Sequence, residues 1–299
     1  MTRGGKMTLR HLKMFIAVAD AGSITSAAKL LYVAQPTVSQ AILELERHYN
    51  VKLFDRLSKK LYLTEHGKRL LSYARHVTAL VTEMEQVSQE PGKSGLLKIG
   101  ASLTIGACLL PDLMKQFISE NPTMQVQAVV KNTQEIEALI MANTIDFAVV
   151  EGLIHSPNLI TDTFAEDTLV LACGRSHPLY NAGKLSLDEL SRHGFIVREQ
   201  GSGTRELFEN TMAAREVKWR LTWDCNGSDV LKSAAINGLG IAVISQRLIE
   251  HELITGELTP LFCDELSLKR SFCITYHKNK YLTSAMKNFM LLCHKTSQK

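Results

Sequence analysis

The stretch Ser23–Glu46, SITSAAKLLYVAQPTVSQAILELE, reads as two short helices joined by a tight turn. Ser23 or Thr25 caps the first helix, in which Ala27, Ala28 and Leu31 share a face. Paired alanines let a neighbouring helix approach closely. Tyr32-Val33-Ala34 supplies the turn. Gln35 lies near the next cap, and Pro36 suits a first helical position, where its missing N–H costs no hydrogen bond. Val38, Ile42 and Leu45 recur at i, i+4, i+7 and face inward. That leaves Thr37, Ser39, Gln40 and Glu44 on or beside an outer polar face that a core does not need. Hydroxyls and amides on the first turns of such a helix suit base edges and phosphates in a major groove, and the helix N-terminus attracts phosphate. Residue by residue, a solvated helix face explains them equally well. Together they point to a helix-turn-helix and to double-stranded DNA as partner.

Charge follows the same division. The chain has 299 residues and a net charge of +4. Residues 1–95 hold 14 Lys/Arg against 8 Asp/Glu, and the remainder holds 20 against 22. A basic end on a near-neutral body confines the electrostatic footprint to one domain. The length implies about two or three domains. Six cysteines, none in a metal-ligand spacing, read as buried free thiols. The first twenty residues lack the apolar core of a signal peptide, and no apolar run reaches membrane-spanning length. The expectation is a cytoplasmic protein with no membrane partner.

Upstream, Thr8 caps a helix carrying Leu9, Leu12, Phe15 and Ile16, which Gly22-Ser23 ends. Downstream, VKLFDR and SKKLYLT suggest a two-stranded wing, with Arg56, Lys59 and Lys60 placed to meet phosphates or the minor groove. A salt bridge to Asp55 or Glu46 is the competing use of Arg56. A long helix then runs from Thr64 to about Gln89. Leu70, Ala74, Val77, Val81, Met84 and Ser88 form a heptad-like stripe along it that favours pairing with a second chain. Pro91-Gly92-Lys93-Ser94-Gly95 breaks the helix and supplies a hinge.

The segments LRHLKMFIAVADAGSITSAAKLLYVAQPTVSQAILELE and LFDRLSKKLYLTEHG resemble the LysR-type transcriptional regulators across nearly sixty residues. The resemblance implies a multidomain α+β and α/β protein. Its parts would be a winged helix-turn-helix over 8–65, a linker and dimerisation helix over 66–91, a hinge at 92–95 and an effector domain over 96–295. It places the DNA contacts on Gln35, Pro36, Thr37, Ser39 and Gln40, with wing contacts near Lys59 and Lys60. Arg56 holds the more familiar arginine position, and lysines build the wing tip. A homodimer paired into a homotetramer, acting on RNA polymerase at the promoter, is the implied assembly.

After Gly95 the strands LLKIGAS, Gln125–Val130, DFAVV, LVLAC, FIVRE, RLTWDC, GIAVIS and SFCITYH alternate with helices, as in a parallel α/β sheet. TIGACLLPDLMKQFISENP reads as one helix. The family implies two Rossmann-like lobes like those of periplasmic solute-binding proteins, one over 96–165 and 268–295 and the other over 166–267. Open α/β sheets bind ligands beyond the C-terminal strand ends. There Ser102 and Thr104 follow the first strand, and Ser202-Gly203-Thr204 open a helix in the second lobe. Their hydroxyls and backbone N–H groups suit an oxyanion, although a turn with an N-cap explains the second group too. Asn226 would line the far wall. Arg198 and Arg205 either balance a charged ligand or pair with Glu199.

The RExGSGTR-like segment is similar to the branch holding sulfur-assimilation and carbon-fixation regulators. In its sulfate-binding members the matching positions are Ser102, Thr104 and Ser202–Thr204. A further position falls on Glu151, an acid that would repel sulfate, and Ile105 replaces a polar residue. A small inorganic or organic anion is the implied effector, and Glu151 argues against assuming that it is sulfate. No dinucleotide fingerprint, Walker A, HExxH or nucleophile elbow occurs, so neither an enzyme nor a cofactor is expected. An exported solute-binding protein is the rival for the C-terminal half. It needs an export signal and leaves the basic N-terminal domain unexplained.

Overall fold

The structure is a computed structural model that describes residues 7–57, 60–87 and 95–296. Of Arg56, Leu57, Lys60, Glu83, Gln86 and Val87 it describes the backbone only. The chain divides into two compact units.

The first unit opens with α1 (Leu9–Ala21), α2 (Ile24–Leu30) and α3 (Gln35–Tyr49). Gly22 ends α1 in the left-handed region, at φ 64°, and its N–H caps the Val18 carbonyl. Ser23, rather than Thr25, caps α2, its Oγ accepting from Ser26 N at 3.1 Å. Ala34 is the N-cap of α3, so Pro36 is the second helical residue and not the first; at either position its missing N–H leaves no bond unmade. Ala27, Ala28, Val38, Ile42 and Leu45 are buried around Phe15, which meets Phe54 edge-on at 5.5 Å between centroids.

Strands β1 (Phe54–Leu57) and β2 (Lys60–Leu63) pair antiparallel, with Phe54 opposite Leu63 and Leu57 opposite Lys60. Ser58 and Lys59, at the expected wing tip, lie outside the described residues. Glu46 fastens the wing to α3. Its Oε1 accepts from Leu53 N at 2.8 Å and Phe54 N at 3.4 Å, and its Oε2 takes Lys52 Nζ at 3.1 Å. Then α4 (Glu65–Val87) begins after Thr64, whose Oγ1 accepts from Gly67 N. The stripe on α4 serves two ends. Leu70 and Ala74 pack into the helix-turn-helix core, whereas Val77 and Met84 are exposed. Of the expected hinge, residues 92–94 lie outside the described residues, and the Gly95 carbonyl accepts from Gln125 N at 3.1 Å.

The second unit contains β3 (Leu96–Ala101), α5 (Leu103–Cys108), α6 (Leu110–Glu120), β4 (Gln125–Val130), α7 (Thr133–Met141) and β5 (Phe147–Glu151). A long β6 (Leu159–Gly174) is followed by α8 (Leu187–Ser191), β7 (Gly194–Arg198), α9 (Gly203–Ala213), β8 (Arg220–Cys225), α10 (Ser228–Ile236) and β9 (Ile241–Ser245). The unit ends with α11 (Glu250–Thr255), β10 (Leu258–Leu261), β11 (Lys269–His277) and α12 (Ser284–Thr296). Where one helix is expected from Thr104 to Pro122 there are two. Pro111 has no N–H to donate to the preceding turn, and the chain breaks at Leu109, φ −123°.

The strands run in the order β4-β3-β5-β11-β6-β9-β7-β8, with β10 beside β6. The β3, β4 and β5 strands are mutually parallel, as are β7, β8 and β9. Two strands join these groups. β6 pairs with β11 up to Thr168 and with β9 from Leu169 onward. Lobe one packs Phe117 and Phe147 against Phe289 of α12, and Phe164 against Phe272 in the same core. Lobe two packs Phe195 and Phe208 against Trp219. The six cysteines are free, and burial pushes the Cys173 thiol up to about 11 and that of Cys293 to about 12. These two thiols stay protonated near neutrality.

Candidate functional site: a recognition helix and an interlobe cleft

On α3, Gln35, Pro36, Thr37 and Gln40 are exposed and Ser39 is half-buried. Val38, Ala41 and Ile42 turn inward between them, which leaves a polar strip along one face. Gln40 is not idle. Its Nε2 donates to Glu44 Oε1 at 2.8 Å, and the other Glu44 oxygen lies 3.0 Å from His11 Nε2. His11 Nδ1 in turn accepts from Thr8 N at 3.0 Å. A chain of polar contacts thus runs from the start of α1 to the middle of α3 and holds the Gln40 amide in one orientation. Of the wing residues, Lys60 is placed as the first residue of β2, opposite Leu57.

In the second unit Ser102, Thr104, Glu151, Ser202 and Thr204 are all buried and converge between the lobes. They meet on a residue that sequence reasoning missed. Arg270 Nη2 donates to Thr104 Oγ1 of lobe one at 3.1 Å, and Arg270 Nη1 donates to Thr204 Oγ1 of lobe two at 2.8 Å. Its Nε donates to Asp167 Oδ2 at 2.8 Å, and Glu151 Oε1 stands 3.8 Å from Nη1. Asp167 also accepts from Ser245 Oγ at 2.8 Å, with Arg247 Nε at 3.7 Å. Ser102 Oγ donates to the Glu151 carboxylate and accepts from Glu151 N.

The topology explains why Arg270 and Asp167 find each other. They are direct cross-strand partners on β11 and β6, close to the point where β6 passes from one lobe to the other. The available signal was one acid on β6 and one base on β11, each among other polar residues of its strand. It stayed silent because the two residues are 103 positions apart.

Of the two expected uses of the arginines, the ion pair is the one formed. Arg198 binds Glu199 through two 2.8 Å bonds. Arg205 binds Glu209 at 2.7 Å and the Arg198 carbonyl at 3.3 Å. Both guanidiniums pair with neighbouring carboxylates, and Arg198 does so from the wall of the cleft. Ile105 faces the lobe-one core, and Asn226 is exposed. Ser228, two residues beyond Asn226, lines the cleft beside Thr104, Arg198, Thr204 and Ser245.

Gly203 is where the lobes touch. A Cβ there would stand 2.6 Å from the Glu151 carbonyl and 3.0 Å from Gly152 Cα. Gln134 N, in lobe one, also donates to the Gly201 carbonyl of lobe two at 3.1 Å. The free volume between the threonines is about 10 Å³, so the lobes are drawn together over this point. Arg270 leaves each threonine hydroxyl with its own proton to give, because Oγ1 acts as acceptor toward the guanidinium. The cleft therefore offers hydroxyl donors to an acceptor oxygen, and one buried carboxylate, Glu151, to a donor.

A polar-faced second helix of a helix-turn-helix, joined in one chain to a two-lobed α/β unit with a polar cleft, defines a ligand-responsive DNA-binding regulator. Residues 9–68 match the bacterial regulatory helix-turn-helix protein, lysR family, and residues 90–298 match the LysR substrate binding domain. The chain belongs to the LysR family of transcriptional regulators. It is 32% identical to the uncharacterized HTH-type transcriptional regulator YeiE of Escherichia coli K12, over 96% of this chain and 97% of that one. It is 30% identical to the HTH-type transcriptional activator CmpR of Synechocystis, over 95% of this chain and 93% of that one. Among solved structures, the Synechocystis CcmR regulatory domain in complex with 2-PG superposes with a TM-score of 0.64. That match has 27% identity and covers 69% of this chain and 99% of that one.

Proposed function

We propose that the second unit binds a small oxyanion of low charge between its lobes, with Ser102, Thr104, Ser202, Gly203, Thr204 and Glu151 as its contacts and Asn226 at the rim. One observation carries this reading: a single buried guanidinium holds one threonine from each lobe with both hydroxyl protons free. A ligand oxygen accepting from Thr104 and Thr204 couples its own binding to the lobe separation. The nearby buried carboxylates, Asp167 and Glu151, disfavour a dianion such as sulfate. The 2-PG complex of the CcmR regulatory domain supports a small-molecule effector for a protein of this fold.

Residues 8–65 form the DNA-binding domain in this reading, 66–91 a linker that pairs two chains, 92–95 a hinge and 96–295 the effector domain. Exposed Val77 and Met84 on α4 support the pairing. Gln35, Pro36, Thr37, Ser39 and Gln40 contact the operator, and Arg56, Lys59 and Lys60 its backbone. A homodimer, joined into a homotetramer, presents its recognition helices to successive major grooves in the cytoplasm. Ligand binding changes the separation of the lobes, the spacing of the dimers and the access of RNA polymerase to the promoter. This requires unequal ligand affinity for the two states.

The test is a thermal-shift series on the full-length protein with sulfate, phosphate, nitrate, hydrogencarbonate and small carboxylates, followed by DNA footprinting with any ligand that raises the melting temperature. A monoanion that stabilises the protein and alters the footprint is the expected result. Stabilisation by sulfate alone would overturn the low-charge assignment. On the DNA side, reversing the charge of Lys59 and Lys60 lowers affinity for operator and random DNA alike. The slope of log affinity against log salt should fall by about one for each phosphate that is no longer neutralised.

A further inference from the structure

Lobe two has a second concavity at the opposite end of its sheet. Because β7, β8 and β9 run parallel, Arg198, Cys225 and Ser245 mark their cleft ends, whereas Gly194, Arg220 and Ile241 mark the far ends. Strands of five or six residues, rising about 3.3 Å per residue, set the two ends roughly 13–17 Å apart. The far concavity has a volume of about 390 Å³, within the range that small-molecule pockets occupy.

Its chemistry differs from that of the cleft. Among the described residues no carboxylate lines it. It holds one permanent cation, Arg220, which has no ion-pair partner among the described residues. The guanidinium reaches over Gly194: a Cβ at that glycine would stand 3.4 Å from Arg220 Nη2 and would collide with Thr222 Oγ1. The absence of a side chain at 194 is therefore what leaves the cation and the hydroxyl side by side.

His177 and His193 stand on another wall with ring centroids 5.1 Å apart. His177 Nδ1 accepts from Leu179 N at 3.2 Å, so in the neutral ring the proton sits on Nε2, which is a donor. Burial, and then the neighbouring His193, hold the His177 pKa below its ordinary value. Leu221 and Leu239 also line the space and are 45% and 50% exposed. An inorganic ion would leave that apolar surface in water, whereas a short hydrocarbon would cover it.

We propose that this concavity is a second ligand site, distinct from the interlobe cleft, for a small organic monoanion. The carboxylate head takes hydrogen bonds from Arg220, the Thr222 hydroxyl and the imidazole N–H groups, and the hydrocarbon lies on Leu221 and Leu239. Arginine is suited to this because its planar fork matches a carboxylate.

The test uses the full-length protein with histidine labelled by carbon-13 at Cε1, titrated with hexanoate and followed by NMR. His177→Gln and His193→Gln assign the two resonances. Both resonances are expected to move saturably with hexanoate, and Arg220→Gln to weaken the apparent Kd at least tenfold. Leu239→Glu places a carboxylate on an exposed side chain at the same wall, and the same loss is expected. Thr104→Val, in the cleft, leaves this titration unchanged, so a failure of the cleft assignment does not disturb it. Inorganic phosphate binds more weakly than hexanoate, and hexylammonium does not compete. The proposal falls if neither resonance saturates, if hexylammonium competes equally, or if the apparent Kd survives both Arg220→Gln and Leu239→Glu. Disappearance of the shifts in Thr104→Val would place the hexanoate in the cleft and overturn the second site. Equal affinity for phosphate would overturn its apolar half.

Discussion

The recognition helix and the interlobe cleft are both polar surfaces beside a helix start, yet they spend their polar groups in opposite ways. On α3, Gln35, Pro36 and Thr37 face solvent, and Gln40 is held by a single half-buried neighbour, Glu44. In the cleft Ser102, Thr104, Glu151, Ser202 and Thr204 are buried, and Arg270 alone joins Thr104, Thr204 and Asp167. The first surface is open to a partner that arrives. The second is buried and largely committed to Arg270, so a partner meets only the hydroxyl protons that the guanidinium leaves free and must match them. That difference suits an output that reads DNA and an input that resists all but a matching ligand, because a displaced buried group costs the full desolvation penalty unless the ligand replaces its bond.

The largest effect expected from this contrast lies at Arg270. Arg270→Ala leaves Asp167 and Glu151 buried, with only the half-exposed Arg247 nearby. Breaking a buried ion pair from one side costs about 3–5 kcal/mol. For a unit of this size that corresponds to a fall of roughly 10 °C in melting temperature, read by calorimetry on the full chain. Arg270→Lys keeps the charge but cannot reach both threonines and the aspartate in one plane, so it recovers only part of the loss. An unchanged melting temperature in Arg270→Ala would mean that the cleft is no more committed than the recognition helix.

A smaller effect is expected at Gln40, and it should appear in specificity rather than in stability. The residue is exposed, so Gln40→Ala leaves the stability within about 0.5 kcal/mol of the parent. Removing an amide that reads a base edge costs roughly 1–3 kcal/mol on the operator alone. Binding titrations on operator and random duplexes at one salt concentration separate the two. Equal losses on both would move Gln40 from base reading to backbone contact. Glu44→Ala frees the Gln40 amide from its 2.8 Å bond, and it should broaden the set of tolerated operators.

The same contrast decides what could be read from residue order. The helix-turn-helix depends on neighbours: Ser23 reaches Ser26, and Val38, Ile42 and Leu45 repeat along one helix. Both helices of the motif, the wing strands and most of the α/β alternation were legible on that scale. The break at Leu109 depends on Pro111 and was locally visible, but the apolar run on both sides concealed it. The cleft was half legible. Ser102, Thr104 and Ser202–Thr204 sit at strand ends, where loops and helix starts declare themselves. Arg270 and Asp167 sit within strands, and their meaning comes only from the β6–β11 register, which no local pattern encodes. For Arg198 and Arg205 residue order left a ligand and an ion pair equally open, and the pairs that form are with Glu199 and Glu209, close by in sequence.

The finest test of the contrast is Thr104→Val, which keeps the shape and deletes one hydroxyl. The residue loses a hydrogen bond from Arg270 at 3.1 Å, and because the guanidinium keeps its Thr204 and Asp167 bonds the cost should stay near the ordinary value of about 1 kcal/mol. Thr204→Val should cost a similar amount. If the threonines act only through the hub, the double variant should be less damaging than the sum of the two, since the second substitution finds the lobes already loosened. Effector-dependent footprints should be blunted in each single variant, while operator affinity without effector is retained. Strict additivity in stability together with an intact effector response would show that Arg270 holds the lobes for structural reasons alone, and that the ligand contacts lie elsewhere in the cleft.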